Sequence, residues 1–77
     1  MPRAFILVNV ESGSEDEVFR QVKTMKFVEE AFVSYGVYDL ILKVKADTMT
    51  ELKDDVTKKI RQIRQVRSSL TLIMTDE

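Results

Sequence analysis

The chain has 77 residues with 12 Lys plus Arg, 13 Asp plus Glu and no His, giving a net charge of −1. That is one small domain, and a pI of about 5.5 argues against a dedicated nucleic-acid binder, which carries a strongly basic face. Cys and His are both absent, which excludes disulfides, thiol nucleophiles, imidazole bases and zinc sites of the Cys/His kind.

Hydrophobic residues make up 44% of the chain, and there are only two Gly and one Pro. This composition belongs to a folded, element-rich domain. A domain this short buries too little surface to be comfortably stable alone. Without disulfides or a structural metal, a partner surface is the remaining common staple. Neither a targeting segment nor a membrane segment is recognisable, so a cytoplasmic, non-membrane protein is expected.

The first element is Ala4 to Val10, short, β-branched and aromatic, followed by the turn cluster Ser12-Gly13-Ser14. It reads as a strand. Ser14 with Glu17 forms a capping-box pattern, which starts a helix at Glu15. Val18, Val22 and Met25 carry that helix to about Met25. Val28 to Tyr35 reads as the second strand, broken by Gly36.

The third strand is Leu40 to Ala46, where Leu40, Leu42, Val44 and Ala46 alternate with Ile41, Lys43 and Lys45. Thr48 and Glu51 repeat the capping-box signal. Met49, Leu52, Val56, Ile60 and Ile63 then form one apolar stripe on a longer second helix. Ser68 to Thr75 closes the chain as a fourth strand. Leu70, Leu72 and Met74 are read as its core-facing side, against Ser69, Thr71, Ile73 and Thr75.

The order β-α-β-β-α-β predicts an α+β, ferredoxin-like fold over residues 1–77, a four-stranded antiparallel sheet with two helices on one face. A monomer of this kind should be polar on its other face. The first strand is apolar on both: Phe5 and Leu7 point one way, Ala4, Ile6 and Val8 the other. Ile41 and Ile73 also lie opposite their strands' core phase, and Phe32 and Val33 fall on opposite faces. Such a patch marks a partner surface. Sheet-to-sheet packing of two copies, as a two-fold dimer, is the preferred reading; scattered exposed apolar residues are the plainer one.

The best local signal for a site is Tyr35-Gly36-Val37-Tyr38-Asp39, between the second and third strands. Gly36 allows a left-handed turn, and the Asp39 carboxylate can accept backbone hydrogen bonds. The segment reads either as an ordinary hairpin loop or as a ligand loop able to hold an ammonium-bearing small molecule. Lys58, Lys59, Arg61, Arg64 and Arg67 form a basic run that could hold phosphate. Asp54 and Asp55 stand four residues before Lys58 and Lys59, so a self-paired, solvated helix face is favoured instead. Neither Glu29-Glu30 nor Asp54-Asp55 suggests acid–base work, since adjacent residues point apart. Ser68, Ser69 and Thr71 could lend hydroxyls to a site or simply line an edge strand. No enzyme, cofactor or metal is expected.

These residues resemble the effector-binding domain of the Lrp/AsnC transcription regulators, the RAM domain. The resemblance rests on Ala4-Phe5-Ile6-Leu7-Val8-Asn9-Val10, on Val28 to Val33, and on Gly36-Val37-Tyr38-Asp39 leading into Leu40-Ile41-Leu42-Lys43-Val44. The stretch from Ile60 to Thr71 extends it to nearly the whole chain. Arg64-Gln65 departs from the Pro-Gly that the family often has at that turn. The resemblance implies sheet-mediated dimers, often assembled into octamers, and a small effector, commonly an amino acid, bound near the interface between dimers. It carries over Gly36, Tyr38 and Asp39 as effector-binding residues, with Tyr35, Ser69 and Thr71 as additions.

The first strand begins at once, with no helix-turn-helix before it. The chain thus resembles a stand-alone form that modulates transcription without contacting DNA. The alternative is a ligand-independent module that co-assembles with a related full-length regulator. A cofactor-free ferredoxin-like enzyme is a distant third, for want of a proton-transfer group.

Overall fold

The computed structural model describes residues 1–74. Its elements are β1 (Arg3–Val10), α1 (Glu15–Lys23), β2 (Val28–Val33), β3 (Leu40–Lys45), a π-helical segment (Glu51–Val56) running directly into α2 (Thr57–Arg61), and β4 (Val66–Met74). The strands form one antiparallel sheet in the order β2-β3-β1-β4. This is the ferredoxin-like arrangement. Thr75, assigned to the last strand from sequence, lies outside the described residues.

Both helices contribute to a single core. Val18 and Val22 of α1, with Leu52, Val56 and Ile60 of the second helical stretch and Ile63 just beyond it, pack on Ala4, Ile6, Val8, Val10, Leu40, Leu42, Val44 and Ala46. The period-two pattern of β3 therefore sets which sheet face is closed, and β1 follows through its register, with Ala4, Ile6 and Val8 beside Val44, Leu42 and Leu40. No polar or charged residue is buried among the described residues.

The two helix starts differ. Thr48 Oγ1 accepts the Glu51 amide at 3.1 Å, as expected of a capping box, while the Glu51 carboxylate accepts the amide of Asp47 at 3.3 Å rather than that of Thr48. Helix α1 begins at Glu15 as read, but the Ser14 hydroxyl makes no capping bond. Glu15 instead accepts the Gly13 amide at 3.2 Å. Gly13, at φ +87°, is the one residue in the left-handed region among those described. Gly36 is not, so the left-handed turn expected there is not formed. A Cβ at Gly36 would meet the Ser34 hydroxyl at an ordinary 3.8 Å.

Strand β4 runs in the opposite phase to the one read from sequence. Pairing with β1 sets Ser69 beside Val8, Thr71 beside Ile6 and Ile73 beside Ala4, while Leu70 lies beside Leu7 and Leu72 beside Phe5. Directly paired residues share a face. Ser69, Thr71 and Ile73 thus face the helices, and Leu70, Leu72 and Met74 the open side. Two hydrogen bonds hold this phase. Arg61 Nε donates to Ser69 Oγ at 3.2 Å, and the Thr57 and Thr71 hydroxyls meet at 3.4 Å.

The ion pairing expected on the second helix is also absent. Among the described residues the salt bridges are Arg3–Glu29 and Lys43–Glu30. The π-helical winding through Asp54 and Asp55 takes the chain off the α-helical spacing that brings i and i+4 together. Lys59 lies over the Phe27 ring instead, 5.8 Å from its centroid.

Candidate functional site

The open face of the sheet is ordered in rows. Phe32 of β2, Ile41 of β3, Leu7 of β1 and Leu70 of β4 are paired in succession, so one apolar row crosses all four strands. The next row toward the β1 N-terminus reads Glu30, Lys43, Phe5, Leu72; the one beyond it reads Lys45, Arg3, Met74. Toward the other end, Asn9 pairs with Ser68. The face is therefore an apolar band with a polar margin on each side. Phe32, Leu70 and Leu72 are nearly half exposed, at 48%, 45% and 46%.

The loop between β2 and β3 stands at the margin marked by Asn9. Tyr35 and Val37 project into solvent, at 99% and 85% exposure. Gly36 is exposed, and Tyr38 and Asp39 are half-buried. Several loop groups are already engaged. The Gly36 amide donates to Ser34 Oγ at 3.3 Å, the Ser34 amide to the Asp39 carbonyl at 2.8 Å, and the Asp39 amide to the Val8 carbonyl at 3.0 Å. The Asp39 side chain is a latch as well. Its Oδ2 accepts the Val10 amide at 2.9 Å.

That latch sits where β1 and β4 fall out of step. Asn9 pairs with Ser68 and Val10 with Val66, so Arg67 is an extra residue on β4, a β-bulge. The Glu11 amide closes the end of the ladder by donating to the Gln65 carbonyl at 2.8 Å. Asn9, Val10, Asp39, Arg67 and Ser68 together line a cleft of about 400 Å³. Bulges commonly re-aim a side chain next to a functional site.

The sequence-derived candidates therefore divide. Tyr35, Gly36, Tyr38 and Asp39 share one loop, and Asp39 alone reaches the cleft lining. Ser69 and Thr71 face the other side of the sheet, bonded to Arg61 and Thr57. The structure does not bring them to the loop. Asn9, Arg67 and Ser68 stand at the cleft beside Asp39, a grouping that no local sequence signal marks. Arg67 reads in sequence as the end of a basic helical run, and only the strand register reveals it as a bulge.

A second cleft of about 360 Å³ lies at the far end of the molecule. Its charged lining combines Lys26, Lys45 and Lys59 with Asp47, Glu51 and Asp55, a balanced set that favours no one charge. No group of three or more Asp and Glu side chains among the described residues is arranged to hold a metal. No helix among them is long and apolar enough to cross a membrane.

Residues 3–77 match the family model described as the Lrp/AsnC ligand binding domain. An uncharacterized HTH-type transcriptional regulator of Pyrococcus abyssi is 33% identical over 76 residues, which is 95% of this chain and 51% of that protein. The crystal structure of FFRP-DM1 superposes with a TM-score of 0.92 at 41% identity, over 97% of this chain and all of the other. A hypothetical protein of Pyrococcus horikoshii gives a TM-score of 0.90 at 42% identity, over 100% of this chain and 93% of its own. The chain spans about half the length of the curated relatives it matches.

Proposed function

The chain belongs to the Lrp/AsnC ligand-binding domain family, and from that membership we propose that residues 1–77 act as one regulatory unit that self-assembles and responds to a small effector, an amino acid. The observation that carries the reading is the apolar row Phe32–Ile41–Leu7–Leu70 on the open face. A second copy packed sheet to sheet would cover it, as a dimer or as dimers assembled into an octamer. The effector would sit at the polar margin by the Tyr35–Asp39 loop, near an interface between dimers. The second carboxylate oxygen of Asp39 would accept its ammonium group. Tyr35, Gly36 and Tyr38 would form the rim, while Ser69 and Thr71 would serve only if α2 shifted away from β4.

An effector bound across an interface stabilises the assembled form by mass action, and assembly in turn raises effector affinity. That coupling is the regulatory output. It requires neither catalysis nor a cofactor, and it would be read by transcriptional machinery in the cytoplasm. A net charge of −1 supports a role exerted through protein partners, with DNA contacted by them and not by this domain.

Calorimetry against the twenty L-amino acids, with thermal shift in parallel, tests the reading. At least one should bind and raise the melting temperature. No binding across the panel would sink the sensing role.

A second reading draws on the same apolar row, which needs no ligand to pack. The domain would then co-assemble with a related full-length regulator. Capture of such a regulator with equal yield in the presence and absence of amino acids would favour it.

A further inference from the structure

We propose that Arg67, the bulged residue of β4, is the carboxylate-binding half of a clamp whose other half is Asp39, and that the ligand between them is a free α-amino acid. The inference rests on the effector reading above and specifies its chemistry.

Three features of the cleft carry it. First, the amides of Gly36 and Asp39, at either end of the Gly-x-Tyr-Asp segment, already donate to Ser34 Oγ and to the Val8 carbonyl and are not free for the carboxylate. Second, Arg67 makes no ion pair and no side-chain hydrogen bond among the described residues. Its planar fork of N–H donors matches a carboxylate in bidentate fashion. Third, Asp39 and Arg67 flank β1 on opposite sides, on β3's approach and on β4. Their backbones stand two strand spacings apart, roughly 10 Å.

That separation leaves the two charges unpaired with each other across the cleft. It leaves room for a small zwitterion over Asn9. Asp39 Oδ2 is committed to the Val10 amide, so Oδ1 faces the ammonium and the guanidinium faces the carboxylate. Asn9 and Ser68, also lining the cleft, supply neutral hydrogen bonds. The bulge has a purpose in this scheme. Without it Arg67 would take its turn in the strand alternation.

The test is calorimetry on wild type, Arg67→Gln and Arg67→Lys, first with the twenty L-amino acids and then with the α-amide and N-acetyl forms of the tightest binder. Arg67 is exposed at the sheet edge, and matched melting curves confirm that the variants fold. In wild type, either masked form should bind at least tenfold more weakly than the free amino acid, the scale of one lost charged hydrogen bond. Arg67→Gln should weaken the free amino acid about tenfold or more yet leave the α-amide unchanged, with Arg67→Lys in between. An amino acid that binds but loses equal affinity in both forms on Arg67→Gln would overturn the clamp and leave the effector reading standing. Absence of binding by all twenty would overturn both.

Discussion

The two faces of the sheet are built from the same kinds of side chain and reach opposite conditions. On the helix side Ala4, Ile6, Val8, Leu40, Leu42 and Val44 are at most 1% exposed. On the open side Phe5, Leu7 and Ile41 are only half-buried, and Phe32, Leu70 and Leu72 are nearly half exposed. Hydrophobicity alone does not distinguish them; what covers them does. The first face is closed by helices of the same chain. The second carries an apolar band of the kind that monomeric proteins rarely leave in water, which is why assembly is placed at the centre of the proposed function.

The sharpest way to separate the faces is one substitution on each. Leu42→Ala opens a cavity under both helices and should cost about 3 kcal/mol of unfolding free energy. Urea denaturation should show this loss at every protein concentration. Leu7→Glu, at the centre of the apolar row, places a charge in the proposed sheet–sheet contact and should remove about 3 kcal/mol of assembly free energy. Its signature is a mass that falls toward one chain on dilution, with helix content retained by circular dichroism. If Leu7→Glu behaved like Leu42→Ala, with a concentration-independent loss of fold, the distinction between the faces would fail.

Asp39→Ala probes the polar margin of the open face. It strips the acceptor from the half-buried Val10 amide and should cost about 2 kcal/mol in urea, apart from any effect on ligand. Asp39→Asn keeps an acceptor and should recover most of that stability while losing charge. The two variants thus separate the latch from the proposed ammonium site.

The smallest effects concern the two glycines. Gly13→Ala should cost about 1 kcal/mol, because its φ of +87° is one that L side chains avoid. Gly36→Ala should stay within about 0.5 kcal/mol, as its backbone lies outside that region. Thermal melts would reverse this assignment if Gly36→Ala proved the costlier.

How much was legible follows the same division. Strand β3 alternates cleanly, so its closed-face residues could be read directly from period two, whereas β1 is apolar on both faces and takes its phase from its register with β3. The Thr48 hydroxyl capping the Glu51 amide was equally plain. Strand β4 was not. Leu70, Leu72 and Met74 outnumber Ile73, so counting apolar residues chose the phase that the ladder rejects. The true phase depends on the register with β1, and on Arg61 and Thr57 giving Ser69 and Thr71 partners. In the true phase Leu70 and Leu72 join Phe5, Leu7 and Ile41 on the open side and widen its apolar band.

The candidate site shows a similar limit. Asp39 was found because a Gly-x-Tyr-Asp loop is a local signal. Arg67 was hidden because a bulge is a property of two strands together. Seen in one strand, it is another basic residue after a basic helix. Gly36 drew attention for a freedom that the loop does not use.

The most direct measurement of the central claim is light scattering of the purified protein over a range of concentrations. The proposed sheet-to-sheet contact predicts particles of at least two 8.9 kDa chains, shifting to lower mass in Leu7→Glu. A wild-type protein that remained a single 8.9 kDa chain throughout would contradict it.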